Sequence, residues 1–268
     1  LGEVRVRIRG STAWVMLLWA LWLASMGAAW AAQVGVVERL EGTARISGPS
    51  GERRAAVNLA VEEGDRIATE RDAELVLRMN DGAVIALRPQ TSIELTEYRY
   101  RSGNDGSVVN LFRGAMRTVT GLIAKNDRDK VTVKTATATI GVRGTDFEVV
   151  LVDAEAAAQA RAQGQNDVDE GTYNRVYSGG TYLEGEGGRR VDVMPNQVAF
   201  APLDVLRAAQ QFGLLRGLPP IFRIGRYDNV LDAIQGEALR RIEQELRRAV
   251  PNPLQNLVPA LPDIFRRR

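Results

Sequence analysis

Cysteine and histidine are both missing from the 268 residues, and each absence removes a class of chemistry. Without cysteine there is no disulfide, thiol nucleophile or thiolate metal site. Without histidine there is no Ser-His-Asp relay, no histidine-ligated haem and no ordinary zinc site. Catalysis would fall to carboxylates, lysine, tyrosine or hydroxyls, and a metal would have to be a hard cation held by oxygens. Zero cysteine fits an oxidising compartment without proving one, because a domain of this size can be held by core burial. A surplus of charge is missing as well. Three of the 35 basic residues and one of the 33 acidic ones lie in the first 31 positions, so the remainder is neutral. A nucleic-acid partner needs clustered surplus lysine and arginine and is not expected. Arg266-Arg267-Arg268 reads as a short solvated tail.

What is present begins with a leader. Arg5, Arg7 and Arg9 precede an apolar run from Ala13 to Leu23, and Ala29-Trp30-Ala31 has the small-x-small form that signal peptidase reads. Residues 1–31 are therefore expected to be a signal peptide, with a mature chain that starts at Ala32 and works in the periplasm. The run continues in small residues to Ala32, long enough at roughly 20 residues to span a bilayer. An uncleaved inner-membrane anchor is the competing expectation, and membrane contact is expected only in that case. The chain opens with Leu1 rather than Met, which suggests a non-standard start codon or a truncated sequence.

From Val34 to Ala201, short alternating runs are separated by Gly, Asn and Asp, the pattern of antiparallel strands. The clearest hairpin spans Ala73 to Arg88 around Asn80-Asp81-Gly82. Ser92 to Tyr98 reads as a strand, and Gly185 to Gly188 as the turn of a later hairpin. Val131 and Val133 alternate with Thr132 and Lys134, and Phe147, Val149 and Leu151 resume the alternation after Arg143-Gly144-Thr145, so this stretch reads as strand, turn, strand. The fold class is all-β: a compact domain of many short antiparallel strands over 32–201, either a sandwich or a β-roll or β-helix-like arrangement. Within it, 153–171 is rich in Ala, Gln and acids and is expected to be an exposed insertion. A helical, Pro-punctuated extension follows over 203–268. There Asp228 reads as an N-cap, and Leu231, Ile234, Ala238, Ile242 and Leu246 form one apolar stripe, expected to pack on the β-domain rather than to bind a partner.

Candidate sites are few. Gly141, Arg143, Gly144, Thr145, Asp146 and Phe147 form the strongest motif. A guanidinium beside a flexible glycine can grip a carboxylate or sulfate, but the structural reading is favoured: Gly144 makes the turn, Thr145 or Asp146 satisfies backbone groups, and Arg143 pairs within the domain. Asn166, Asp167, Asp169 and Glu170 cluster oxygens without the full spacing of a calcium loop, so a solvated loop is expected and no metal. Glu62-Glu63 and Glu94-Glu97 are carboxylate pairs without a sugar platform. No catalytic residues, cofactor or enzymatic activity are expected.

The chain resembles the FecR-domain family through an ordered set of short patterns. These are Gly35 to Leu40, Gly64-Asp65 with Ile67 and Thr69, Asn80-Asp81-Gly82 with Ile85 and Leu87, Leu111 to Gly114, and Thr118 to Gly121. The set continues through Thr135 to Phe147 with Gly141-Val142-Arg143-Gly144-Thr145 as its most diagnostic run, then Tyr177 to Tyr182 and Gly187 to Gln197. Ala136 departs from it, standing where the family usually has proline. The resemblance implies an all-β periplasmic module that, in the name-giving members, senses a loaded outer-membrane receptor and signals through a membrane helix to control a sigma factor. Only about a dozen residues precede the apolar run here, so the expected role is a periplasmic interaction or sensing module with an envelope protein or glycan as partner. A membrane-anchored regulator of a sigma factor is the alternative.

Overall fold

The computed structural model describes residues 32–127, 130–144, 146–204, 206, 211–222 and 224–236. Among these, seventeen strands form two sheets that share one strand. Sheet I is ordered β4 (Ala60–Glu62), β1 (Gln33–Glu41), β6 (Glu74–Met79), β7 (Val84–Leu87), β9 (Gly106–Val119), β12 (Asp146–Val152), β13 (Gly171–Ser178), β16 (Val198–Pro202) and β17 (Gly213–Leu214). Sheet II is ordered β3 (Gly51–Arg54), β2 (Ala44–Gly48), β5 (Arg66–Thr69), β8 (Ser92–Arg99), β9 again, β10 (Val131–Lys134), β11 (Ala138–Val142), β14 (Thr181–Gly185) and β15 (Arg190–Val193). Every pairing among the described residues is antiparallel except β9 with β10. After β9 the chain places hairpins alternately in one sheet and the other, so both grow sideways together. The architecture is all-β with a helical extension.

The shared strand explains how two sheets close on one core. Residues 106–113 of β9 pair with β8 in sheet II, while 114–119 pair with β12 in sheet I. The change of sheet falls at Gly114, whose φ is +82°. A Cβ there would lie 2.7 Å from Thr91 Cα and 2.8 Å from Gln90 O, so both the conformation and the space require glycine. Thr91 clasps the bend: its Oγ1 accepts from Ala115 N–H and donates to Ala115 O, each at 3.0 Å.

Alternation then sorts the side chains. Leu75, Leu77, Ile85, Leu87, Met116, Phe147, Val149 and Val176 point between the sheets and meet Ile46, Ile67, Ile93, Leu111 and Ile140. A short helix, α1 (Leu122–Asn126), plugs one end with Ile123. Asp81 ties it down, accepting from Ile123 N–H and from Tyr98 Oη.

The outer face of sheet I is also covered. Helix α2 (Ala154–Ala162), N-capped by Asp153 accepting from Ala156 N–H at 2.8 Å, lays Ala157 and Ala160 on Val150, Val152, Tyr173 and Phe200. The 153–171 stretch, expected to be an exposed insertion, is exposed over most of its length but sets Ala157 and Ala160 against the sheet. Small alanines three apart lie flat on a sheet, and that burial leaves no large apolar residue for the sequence to advertise. Farther along, a helix over 228–236, α3, seats Leu231 on Val76, Val84, Ala86 and Val119, with Tyr227 and Ile234 beside it. Ala238, Ile242 and Leu246 of the expected stripe lie outside the described residues, as do 1–31. Because both faces are covered, all seven residues of β12 are buried and its alternation does not separate core from solvent.

Candidate functional site

The structure divides the motif at the β11–β12 turn between two environments. Gly141 lies opposite Tyr182, whose ring occupies the place a Cβ would take. Arg143 pairs with Asp192 at 3.4 Å, both side chains partly open to solvent, and its N–H donates to Gly180 O. Gly144 has φ +75° and makes the turn. Thr145 lies outside the described residues. Phe147 is fully buried in the inter-sheet core. Asp146 turns instead to the outer side of sheet I, where it accepts from Arg117 Nε at 3.0 Å and Nη2 at 2.7 Å. One motif therefore serves a surface ion pair, a turn, the core and a buried charge cluster.

That cluster is the most highly organised polar site among the described residues. On the outer face of β7, Val84 and Ala86 are followed at the next outward position by Arg88. On β9, Arg117 pairs across from Ala86 on one side and Glu148 of β12 on the other. Register thus sets two arginines beside the carboxylates of Asp146 and Glu148, with Glu74 on β6 nearby. Arg88 Nε donates to Glu148 Oε1 at 3.1 Å, and Tyr177 Oη donates to Glu148 Oε2 at 2.7 Å. The Arg117 guanidinium lies 4.1 Å from the Tyr177 ring centroid and that of Arg175 4.3 Å from it.

Helix α3 completes the set. Arg88 Nη2 donates to Asp228 Oδ1 at 2.7 Å, Arg117 Nη1 lies 3.3 Å from the same oxygen, and Arg117 Nη2 reaches Asp232 Oδ1 at 2.6 Å. Asp228 is not the N-cap that the sequence suggests. It is the first helical residue, and its Oδ2 accepts from Gly225 N–H at 2.8 Å while Oδ1 faces the arginines. Two guanidiniums out of water outcompete a local cap for a carboxylate. Arg226 N–H donates to Glu74 Oε2 at 2.9 Å, and the Arg226 side chain pairs with Glu41.

Burial decides the electrostatics. It works against the Arg117 charge, yet hydrogen bonds and attraction from Asp146 and Asp232 hold its pKa above the ordinary value. Burial pushes the Glu74 carboxyl up, with Arg88 pulling the other way, and pushes the Tyr177 phenol up together with the Glu148 charge. Such a cluster is weak evidence of net stability, since removing one partner is far more damaging than the pairs are favourable. What it supplies is specificity: two fixed forks, each half satisfied by sheet I and half by α3.

The other sequence candidates stay apart. Asp169 N–H donates to Tyr173 Oη, and Arg161 lies 3.9 Å from the Asp169 carboxylate. No group of acidic residues able to hold a metal occurs among the described residues. Glu63 accepts from Tyr98 N–H while Glu62 accepts from Ser50, so that pair diverges, and Glu97 is taken by Arg99. Arg88, Arg117, Glu148 and Asp232 were not singled out by sequence. Their one signal is a charged residue at an outward position in each of several strands, which becomes meaningful only once the register brings them together.

Residues 65–166 match the family model described as FecR protein. The match takes in somewhat more than a third of the chain, and over that stretch the chain is similar to FecR proteins. The FecR match runs from β5 to just past α2, so it encloses Glu74, Arg88, Arg117, Asp146 and Glu148, while Asp228 and Asp232 lie beyond it. Strands on either side of the match complete the same two sheets. Two crystal structures described as a candidate anti-sigma factor from Parabacteroides distasonis are similar at 16% and 17% identity, with TM-scores of 0.41 and 0.39. Each comparison covers 56% of this chain and 57% of the other, little more than half of either. No curated protein matches the chain.

Proposed function

We propose that this chain is a non-catalytic interaction and sensing module of the bacterial cell envelope, exported through residues 1–31 and acting in the periplasm on an envelope protein or glycan. The observation that carries the reading is the FecR match over 65–166, which supports a role in signal regulation. The leader supports export through its basic start, apolar run and small-x-small ending.

A second reading has a specific observation behind it. The apolar run from Ala13 continues in small residues to Ala32, enough at roughly 20 residues to cross a bilayer. Retained, it would make the chain a membrane-anchored regulator of a sigma factor. Among the described residues no helix is long and apolar enough to cross a membrane, so the choice rests on the leader. Fractionation of expressing cells with N-terminal mass analysis distinguishes the two. A chain beginning at Ala32 in the soluble periplasmic fraction is expected. An intact leader found only in membranes would overturn the soluble reading in favour of the anchored one.

A further inference from the structure

The face of sheet I beneath 225–236 has the features of a receptor whose ligand happens to be part of the same chain. Its floor is apolar, from Val76, Val84, Ala86 and Val119, and Arg88 and Arg117 stand at its edge. Each arginine keeps a partner on the sheet, Glu148 for Arg88 and Asp146 for Arg117, when α3 is left out of the count. Removing α3 would cost each arginine a carboxylate, yet leave each with one on the sheet while its Nη groups open to water. A face that stays compensated when empty can be vacated and refilled.

The occupant shows what such a face selects. Asp228 and Asp232 stand one helical turn apart, with Leu231 fully buried between them and Ile234 behind it. The fit is incomplete. Arg88 Nη1, on a side chain more than nine-tenths buried, makes no hydrogen bond among the described residues and lies 3.9 Å from Glu74 Oε2. Beside it a groove of about 430 Å³ remains open between α2 and Ile221, Ile224 and Gly225. Asp232, although bonded to Arg117, is 64% exposed. The strap leading into α3 leaves Leu218 and Ile224 in solvent.

We propose that this face is a docking site for a partner's amphipathic helix bearing two carboxylates one turn apart around a buried leucine, and that 225–236 is an internal occupant which the partner displaces. The mode is helix-in-groove recognition, with the apolar residue giving affinity and the two arginines giving register. Cis occupancy sets the threshold, because a trans helix sees only the fraction of molecules whose face is open. The proposal rests on the reading of the chain as an interaction module, and names the partner chemistry for one surface of it.

The test uses the purified chain from Ala32 and a fluorescent peptide of residues 224–236 as the probe, read by anisotropy. In one protein variant the internal occupant is weakened by Leu231→Ala with Asp232→Asn, and its folding is checked by circular dichroism. The peptide is expected to bind this variant about tenfold or more tighter than the unmodified chain, in proportion to the larger open fraction. A peptide carrying the same two changes should bind neither, which tests recognition without altering the receptor. Equal binding of both peptides would overturn the proposal, as would no binding to the weakened variant. A dimer of the unmodified chain exchanging its own segments would show a second copy as the occupant and overturn the choice of a distinct partner. None of these failures bears on export or compartment, which fractionation reads separately.

Discussion

Gly144 holds φ +75° with open space around it, a Cβ there meeting nothing closer than Ala124 O at 3.6 Å. The requirement for glycine is therefore conformational, and a β-branched residue is strained there by about 1–3 kcal/mol. Gly144→Val is expected to lower the thermal midpoint clearly, whereas Arg143→Ala removes an exposed pair with Asp192 worth about 0–1 kcal/mol and should barely move it. An unchanged midpoint for the valine variant would contradict the turn geometry. Glu74 makes a different kind of prediction. Its carboxyl is raised by burial, and a raised carboxyl contributes stability that is fully present below the unfolded value and is lost as pH rises through the folded one. Glu74→Gln keeps an acceptor for Arg226 N–H but cannot titrate. Relative to that variant, the unmodified chain should gain stability as pH falls from 7 through the raised value, then level off below the ordinary glutamate range. Paired melting curves from pH 7 to pH 4 check the sign, and a difference that is flat or of opposite slope would refute it.

At the scale of elements, local signals carried the hairpins well. The Asn80-Asp81-Gly82 turn joins β6 to β7 with Gly82 at φ +84°, and the Gly185 to Gly188 turn joins β14 to β15. The stretch read as a single strand before Arg143 is two, because Thr135 folds the chain back: its N–H donates to Ala138 O at 2.9 Å and its Oγ1 accepts from Ala138 N–H at 3.0 Å. Alternating threonines hid that turn inside a period-2 pattern, and Ala136 sits within it. What the sequence could not express was the second layer. Periodicity reports which side of a strand faces the core, but β12 has a core on both sides, one made by sheet II and one by segments that return from 153–162 and 215–234. The same limit hid the charge cluster. Arg88 and Glu148 are 60 positions apart and become partners only through β9, so their pairing is a property of register, not of any local spacing.

For the molecule as a whole, the question is whether the C-terminal region belongs to the fold or rides on it. Among the described residues the inter-sheet core is drawn from 34–201, with Phe212 packing against it from beyond, while Leu215, Ile221, Phe222, Tyr227, Leu231 and Ile234 pack on the outer face. Deleting 203–268 should therefore leave the two sheets able to fold, but with Val76, Val84, Ala86, Val119 and Phe200 newly wet and with Arg88 and Arg117 deprived of Asp228. Burial of a side chain such as Leu231 is worth about 1.5–3 kcal/mol, so the truncated chain is expected to unfold in a single transition at a distinctly lower midpoint. Its denaturant slope should also be smaller, because less surface is exposed on unfolding. Equilibrium urea titrations of both chains measure both quantities. A curve superimposable on that of the longer chain would show that the outer layer contributes nothing, and loss of a cooperative transition would show that the sheets cannot close without it. The intermediate outcome is the one the packing requires, since the outer layer touches every central strand of sheet I and hardly enters the core between the sheets.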